Sequence, residues 1–443
     1  MNIQRRSVLG ALSAGLLAPS LGRGQSRPPL LIRNARIVPV AGPVLAKGSV
    51  LVENGLIAAV GESVPAPAGT QVLEAEGLTV YPGLMDCLTN VGMQTGGAGA
   101  GTAGRGTVPA PGAPPVTISR GPEDRPLTTP WVKAADMVRT NDPRIPAARG
   151  AGFSSAVVFP TSGIFAGQGA VINFAGDKAG QMVVEPSVGM YTTLATNRGG
   201  GFPGSLMGVI AYIRQVYIDA EHYQAALKIY KENPSLPRPQ YERALEGILE
   251  APVTLFPASG AREIDRMIRL AKELKTKPVF YGLQEGFRRV EELKASGAGL
   301  LVNLRWPEAP RDQDPEDQED LRSLELRDQA PSTPGLLAKA GAKFGFSSAG
   351  IERPADILRA VKKAIDAGLP QAEAVRAMTL SLAEMFGVAK RLGSIERGKI
   401  ANLTVTKGEL FAESTRVQYV LIDGLKYDPL PEEVPAARPE ATR

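Results

Sequence analysis

The sequence predicts a parallel α/β protein with a small β domain assembled from both ends of the chain. Three observations lead there. Between roughly residues 150 and 390, short apolar runs alternate with helical patterns, the texture of strands joined by crossover helices. Runs rich in Ile and Val lie near each end. The stretch 82–391 is long enough for a closed (β/α) barrel, which takes about 250 residues.

Taken in order, residues 31–40 and 49–60 read as strands, and Asn54-Gly55 inside the second run supplies the two positive-φ positions of a tight hairpin. Further strands are expected at 71–73 and 78–81. Residues 401–406 and 417–423, with Gly424 as a turn, have the same texture, so the two ends are expected to pair into one sheet. In the middle, strands are expected at 155–159, 170–174, 252–256, 278–281, 299–304 and 342–347. Val209, Ile213, Val216, Ala220, Tyr223, Leu227 and Tyr230 recur at three- and four-residue steps, one face of a long helix. Residues 262–274, 354–367 and 371–386 behave likewise. A Gly/Pro-rich insertion at 96–130 and an acidic one at 308–329 are expected to be surface loops.

Hydrophobic residues make up 43% of the 443 and charged residues 21%, which excludes a fibrous or disordered chain. The formal charge of +5 includes Arg5, Arg6 and Arg23, which lie in a leading segment expected to be removed. No basic stripe remains to hold a nucleic acid. That segment, residues 1–26, places paired arginines before an apolar run about half as long as a membrane span. It resembles a twin-arginine signal, which implies export to a bacterial periplasm without a membrane anchor. The single Cys87 cannot form an intramolecular bridge, so packing must supply the stability there.

Two motifs carry a more specific resemblance. Val80-Tyr-Pro-Gly-Leu-Met-Asp86 resembles the first barrel strand of the amidohydrolase superfamily. Arg391-Leu-Gly-Ser-Ile-Glu-Arg-Gly-Lys-Ile-Ala-Asn-Leu-Thr-Val405 resembles the return from its barrel into its β-sandwich. Residues 152–155 and 377–383 resemble the imidazolonepropionase-like branch. The resemblance implies a (β/α)8 TIM-like barrel at 82–391 and a small β-sandwich composed of residues 27–81 and 392–443. It also implies metal-dependent hydrolysis of amide, lactam or urea bonds, with four histidines and an aspartate as ligands.

The chain departs from that pattern at the ligands. The first motif of the family continues Asp-x-His-x-His, and the matching positions hold Leu88 and Asn90. Later ligand positions fall on Phe256 or Ala258, on Gly282, and on Ser348-Ala349 in place of the terminal aspartate. Only one histidine, His222, exists in the whole chain, and it lies beside the apolar stripe of the long helix. A hydrolytic zinc needs about three N, S or O ligands and a water whose pKa it lowers to about 7. Leucine, phenylalanine and glycine side chains offer no lone pair. No resident metal or cofactor is therefore expected.

The leading expectation is an inactive relative that binds a small molecule at the barrel mouth or supports an intact paralogue or a second copy. The alternative is a metal-independent hydrolase of amide, lactam or ester bonds with Asp86 or Glu285 as base and Tyr281 or Ser348 as helper. Such a base would need a raised pKa in an open polar pocket. A purely structural envelope protein is the third reading. Strand alternation places Asp86 on the face of positions 88 and 90 and turns Cys87 and Thr89 toward the helices. The spelling Gly99-Ala-Gly-Thr-Ala-Gly104 is followed by prolines and reads as a loop, not a dinucleotide site. Ser154, Ser155, Ser162 and Ser347 could be nucleophiles only beside a Lys or carboxylate base. Residues 311–320 are read as a solvated acidic loop.

Overall fold

The computed structural model describes residues 28–94, 119–197, 201–309 and 318–429. The expected export segment, the run Gly99–Gly104 and residues 311–317 of the acidic insertion lie outside the described residues.

The chain opens with β1 (Leu30–Ile37), β2 (Leu45–Glu53), β3 (Leu56–Gly61), β4 (Gln71–Glu74) and β5 (Thr79–Pro82). Ten strands follow. These are β6 (Leu84–Thr89), β7 (Phe153–Val158), β8 (Phe165–Gln168), β9 (Ala170–Asn173), β10 (Val183–Glu185), β11 (Met190–Thr192), β12 (Thr254–Ala258), β13 (Pro278–Gly282), β14 (Gly299–Asn303) and β15 (Phe344–Ser347). It closes with β16 (Leu403–Lys407), β17 (Arg416–Ile422) and β18 (Leu425–Tyr427).

Both ends join in one eight-stranded sheet of order β18-β17-β16-β5-β1-β2-β3, with β4 beside β1. The join is the antiparallel pair β5 and β16, which sets Val80 opposite Val405. Asn54 and Gly55 take φ of 50° and 80° and turn β2 into β3, as their sequence demands. Ile32, Ile37, Val50, Val52, Val80, Leu403 and Leu421 bury the inner face. Gly83 links this sheet to β6, and a Cβ there would stand 2.1 Å from Ser154 Oγ, so the crossing requires glycine.

The ten middle strands form two further sheets. β6 runs parallel to β7, and β9 and β10 extend that sheet antiparallel. β11 to β15 run parallel in the other, with β8 antiparallel at its edge. The Ser348 N–H donates to the Cys87 carbonyl at 2.9 Å, which ties the end of β15 to β6. Residues 165–173 pass from β8 straight into β9 and so belong to both sheets. The fold is mixed α/β. The expected strand at 170–174 exists but runs antiparallel to its neighbour. β8, β10, β11 and β18, each of three or four residues, were not expected; strands that short display little period.

Helices pack outside these sheets. The expected helix 371–386 is two pieces, Gln371–Ala377 and Leu380–Met385. Between them Thr379 departs from helical geometry and its hydroxyl returns to the Val375 carbonyl at 2.7 Å. Within the acidic insertion, residues Leu321–Gln329 are helical rather than loop, started by the Asp320 carboxylate accepting from Ser323 N at 2.9 Å. The helix Leu206–Glu232 is 27 residues long, yet none of its residues beyond Ala220 is buried. Among the described residues no helix is long and apolar enough to cross a membrane.

A buried polar bridge locks the eight-stranded sheet to the middle strands. Asn402 Nδ2 donates to Asn173 Oδ1 at 2.8 Å, Asn173 Nδ2 donates to Asp423 Oδ2 at 2.9 Å, and the Asp423 amide donates to Asn402 Oδ1 at 3.0 Å. Replacing Asn402 with alanine leaves the Asn173 carbonyl buried with one partner fewer. The Asn402→Ala variant is expected to lose about 2 kcal/mol in urea denaturation; a loss under about 0.5 kcal/mol would show that the bridge does not hold the sheets together.

Candidate functional site

Strand alternation sorts the middle strands into two faces. Leu84, Val158, Phe256, Ala258, Phe280, Leu300, Val302, Phe344 and Phe346 share an outer cluster with the helical residues Ile264, Met267, Leu270, Leu337 and Val361. Met85, Cys87, Leu88, Val157, Phe159, Val171, Tyr191, Leu255, Val279 and Leu301 form a separate inner cluster, with Tyr281 and Ala349 packed against it. The carboxyl ends of the strands, where sites in parallel α/β proteins lie, border this inner cluster.

At β6 the structure corrects the expected orientation. Cys87 lies in the inner cluster beside Met85, so alternation turns Asp86 outward. The cause is a break in register between Cys87 and Thr89, where Leu88 adopts φ of 59° and lets two successive side chains face inward. Asn90, expected to point inward too, is exposed at the rim, where Arg144 Nη1 donates to its Oδ1 at 2.6 Å and Arg144 Nη2 to its carbonyl at 2.9 Å.

The other positions matched to ligands divide similarly. Phe256 faces the helices, and Leu255 takes the inward place on β12. Gly282 has φ of 107°, and a Cβ there would stand 2.4 Å from Ser259 Oγ, so the position admits no larger residue without rearrangement. The inward group on β13 is Tyr281. Ala349 packs on the inner cluster. His222 is exposed on its helix, far in sequence from every strand end.

The four candidate catalytic residues do not converge. Asp86 and Ser348 do come near each other: the Asp86 carboxyl is buried at 4% exposure close to the Ser348 and Thr89 hydroxyls, and the Ser348 hydroxyl donates to the Cys87 carbonyl at 3.4 Å. Burial pushes that carboxyl up to about 6, against the downward pull of those hydroxyls and the Cys87 backbone. Tyr281 instead donates from its hydroxyl to the Thr192 carbonyl at 2.9 Å and stacks on Tyr191 with ring centroids 5.0 Å apart. Burial drives its phenol well above the ordinary value. Glu285 accepts from the Ala261 amide at 2.7 Å and from Arg322 Nη2 at 2.9 Å. Burial alone would raise its carboxyl, but these two donors outweigh it and hold the group below the usual value. It anchors the start of helix Ala261–Glu273 rather than waiting as a base.

Sequence reasoning did not find Phe159 and Tyr191, which share the inner cluster with Cys87; their rings lie 5.7 Å apart. Two buried hydroxyls, Ser155 Oγ and Ser347 Oγ, have no hydrogen-bond partner, so neither is bonded to a lysine or carboxylate that could activate it. A cleft of about 450 Å³ lined by Met93, Gln94, Arg139, Asn141, Asp142 and Arg144 adjoins the end of β6.

The donor set inside the inner cluster does not suit a hydrolytic metal. Leu88, Leu255, Val279, Leu301 and Val157 have no lone pair, and burial together with Asp86 raises the Cys87 thiol far above the range of a ready thiolate. Among the described residues no group of three or more His, Cys, Asp or Glu side chains is placed to hold an ion.

The raised Asp86 pKa carries a pH dependence. The native state holds the proton more tightly than the unfolded chain, so this stabilising contribution is full below about 3.8 and is lost as pH rises through about 6. At neutral pH the ionised carboxyl then costs on the order of 3 kcal/mol. The Asp86→Asn variant is expected to gain stability relative to the parent as pH goes from 4.5 to 7.5, read by urea denaturation. A difference that stays flat across that window would contradict the assignment.

Comparisons with known proteins agree with this geometry at the level of fold. Residues 294–426 match the Amidohydrolase family. Dihydroorotases from Pelobacter propionicus and Geobacter metallireducens are each 40% identical over 57 residues. That segment is 13% of this chain and 13% of either enzyme, so the chain matches only a small part of their length. An amidohydrolase from Thermotoga maritima superposes with a TM-score of 0.73 at 23% identity, over 90% of this chain and 99% of that one. A putative prolidase from Bifidobacterium longum superposes with a TM-score of 0.53 at 16% identity, over 92% of this chain and 97% of that one. The A. niger ochratoxinase follows at 0.53 and 15%, over 90% and 96%. The chain thus carries an Amidohydrolase family match over 294–426 within a fold shared with solved amidohydrolase structures.

Proposed function

We propose that this chain is an exported amidohydrolase-fold protein that has lost metal-dependent hydrolysis and acts by binding. Its two middle sheets are read as the arcs of one (β/α) barrel, a reading supported by the bond from Ser348 to Cys87 and by the strand pair β8–β9 spanning both arcs. The observation that carries the functional reading is the content of the inner cluster. That cluster brings together Leu88, Phe159, Tyr191, Tyr281 and Ala349, which on this reading stand where a metal and its water would be needed. The cleft beside β6 is the place for a small ligand, with Arg139 as the group suited to a carboxylate, because Arg144 is already held by Asn90 and Asp142. Export rests on the paired arginines and short apolar run of residues 1–26. The match to dihydroorotases spans too little of either protein to transfer their activity.

One observation favours a second reading, metal-independent hydrolysis: the Asp86 carboxyl, raised to about 6, faces the Ser348 hydroxyl. Its burial at 4% exposure weighs against access by a substrate.

One experiment separates the two. The purified chain is dialysed with zinc or manganese, analysed for bound metal, and assayed with dihydroorotate and simple esters. Well below one ion per chain and no turnover above buffer are expected. Stoichiometric metal with chelator-sensitive turnover would overturn the proposal. Metal-free turnover lost in Asp86→Asn and Ser348→Ala would establish the second reading.

A further inference from the structure

The helix Leu206–Glu232 is half used. Its buried positions are Val209, Tyr212, Ile213, Val216, Tyr217 and Ala220, and three further turns extend beyond them. Isolated helical turns of that length are marginal in water without packing on at least one face. On the side away from the core, Met207, Ala211, Ile218, Ala225 and Ile229 are exposed, with Met207 at 81%, Ile218 at 57% and Ile229 at 55%. At about 100° per residue the five fall within an arc of about 40°, one straight apolar stripe about 33 Å long.

The stripe reads the same in both directions. Ile218 is its centre, Ala211 and Ala225 stand equally far to either side, and Met207 and Ile229 close the two ends. Laid antiparallel on a copy of itself, with a two-fold axis at Ile218, the helix sets Ile218 against Ile218, Ala211 against Ala225 and Met207 against Ile229. The alanines let the backbones approach while the larger side chains fill the centre and ends.

The edges of the stripe obey the same symmetry. Along one edge Arg214 comes to stand opposite Glu221 of the other copy, and along the other Gln215 comes opposite His222, each pairing occurring twice. Arg214 holds Glu273 through Nε at 2.7 Å and Nη2 at 2.8 Å, bonds that do not use its Nη1. A closed two-fold interface requires just such self-complementary charge.

We propose that two copies of this chain associate antiparallel through the Met207–Ile229 stripe of this helix. The inference is independent of the chemistry assigned to the strand ends. A helix about 40 Å long and 10 Å wide covers less than the roughly 800 Å² per partner of a standard interface. Exposed Leu236 and Tyr241, just past the helix, widen the footprint. The dimer therefore dissociates on dilution.

Sedimentation velocity across a concentration series tests the association. The mass is expected to climb toward twice the 46.7 kDa of the chain, and Ile218→Glu is expected to raise the dissociation constant at least tenfold with an unchanged circular-dichroism spectrum. Cysteine pairs test the geometry, since the native Cys87 is buried. Ile218→Cys is expected to cross-link to itself under mild oxidation. Ala211→Cys is expected to cross-link to Ala225→Cys in a mixture but not to itself. A monomer at every concentration overturns the proposal, as does a dimer indifferent to Ile218→Glu or self-linking of Ala211→Cys, which indicates parallel helices. The cross-links decide the matter should Ile218→Glu fail to fold.

Discussion

Met85, Val157, Leu255, Val279 and Leu301 come from five strands scattered along the chain and meet in one buried cluster. Their convergence constrains everything around them. Each inward residue obliges its neighbours on the same strand to face the helices, which is why Phe256, Phe280 and Phe346 appear in the outer cluster with Met267 and Leu337. Deleting one such inward side chain costs about 2–5 kcal/mol, because neighbouring strands cannot collapse into the gap. A slip of one residue on any strand would exchange the two clusters, so the register of the middle sheets is strongly specified.

The same packing explains why the candidate catalytic residues among the described strand ends do not converge. Tyr191 and Tyr281 stack across the inner cluster, and Phe159 closes on Tyr191 from the other side. Polar groups that do lie near the strand ends are spent on structure. Glu285 and Arg322 secure a helix start, while Arg144 holds Asn90 and Asp142 at the rim. Asp86 faces Ser348 and Thr89 beside the irregular turn of backbone at Leu88, where β15 meets β6. A carboxyl raised by burial is ordinarily a mark of catalysis. Here it accompanies a strand junction.

Much of the architecture was legible in the sequence because it depends on local signals. Asn54-Gly55 specified a hairpin, the periodic residues from Val209 to Ala220 specified a buried helix face, and the motif that begins at Arg391 lies within the family match over 294–426. Orientation at β6 was not legible. Alternation assumes a regular strand, and nothing in the spelling Asp86-Cys-Leu-Thr announces a left-handed backbone at Leu88. The three-residue strand β11, which delivers Tyr191 to the inner cluster, is shorter than any window in which a period can be read. The exposed stripe from Met207 to Ile229 is hard to read in the sequence for another reason: the larger apolar residues of the buried face give the helix its dominant period.

The central proposal is that side chains of the inner cluster, not an ion and its water, occupy the strand ends. Anomalous scattering at the zinc edge, from crystals grown with millimolar zinc, tests it most directly. The account predicts no anomalous peak within coordination distance of Cys87, Tyr191 or Tyr281, with density for their packed side chains in its place. A strong peak held there by protein atoms would contradict it.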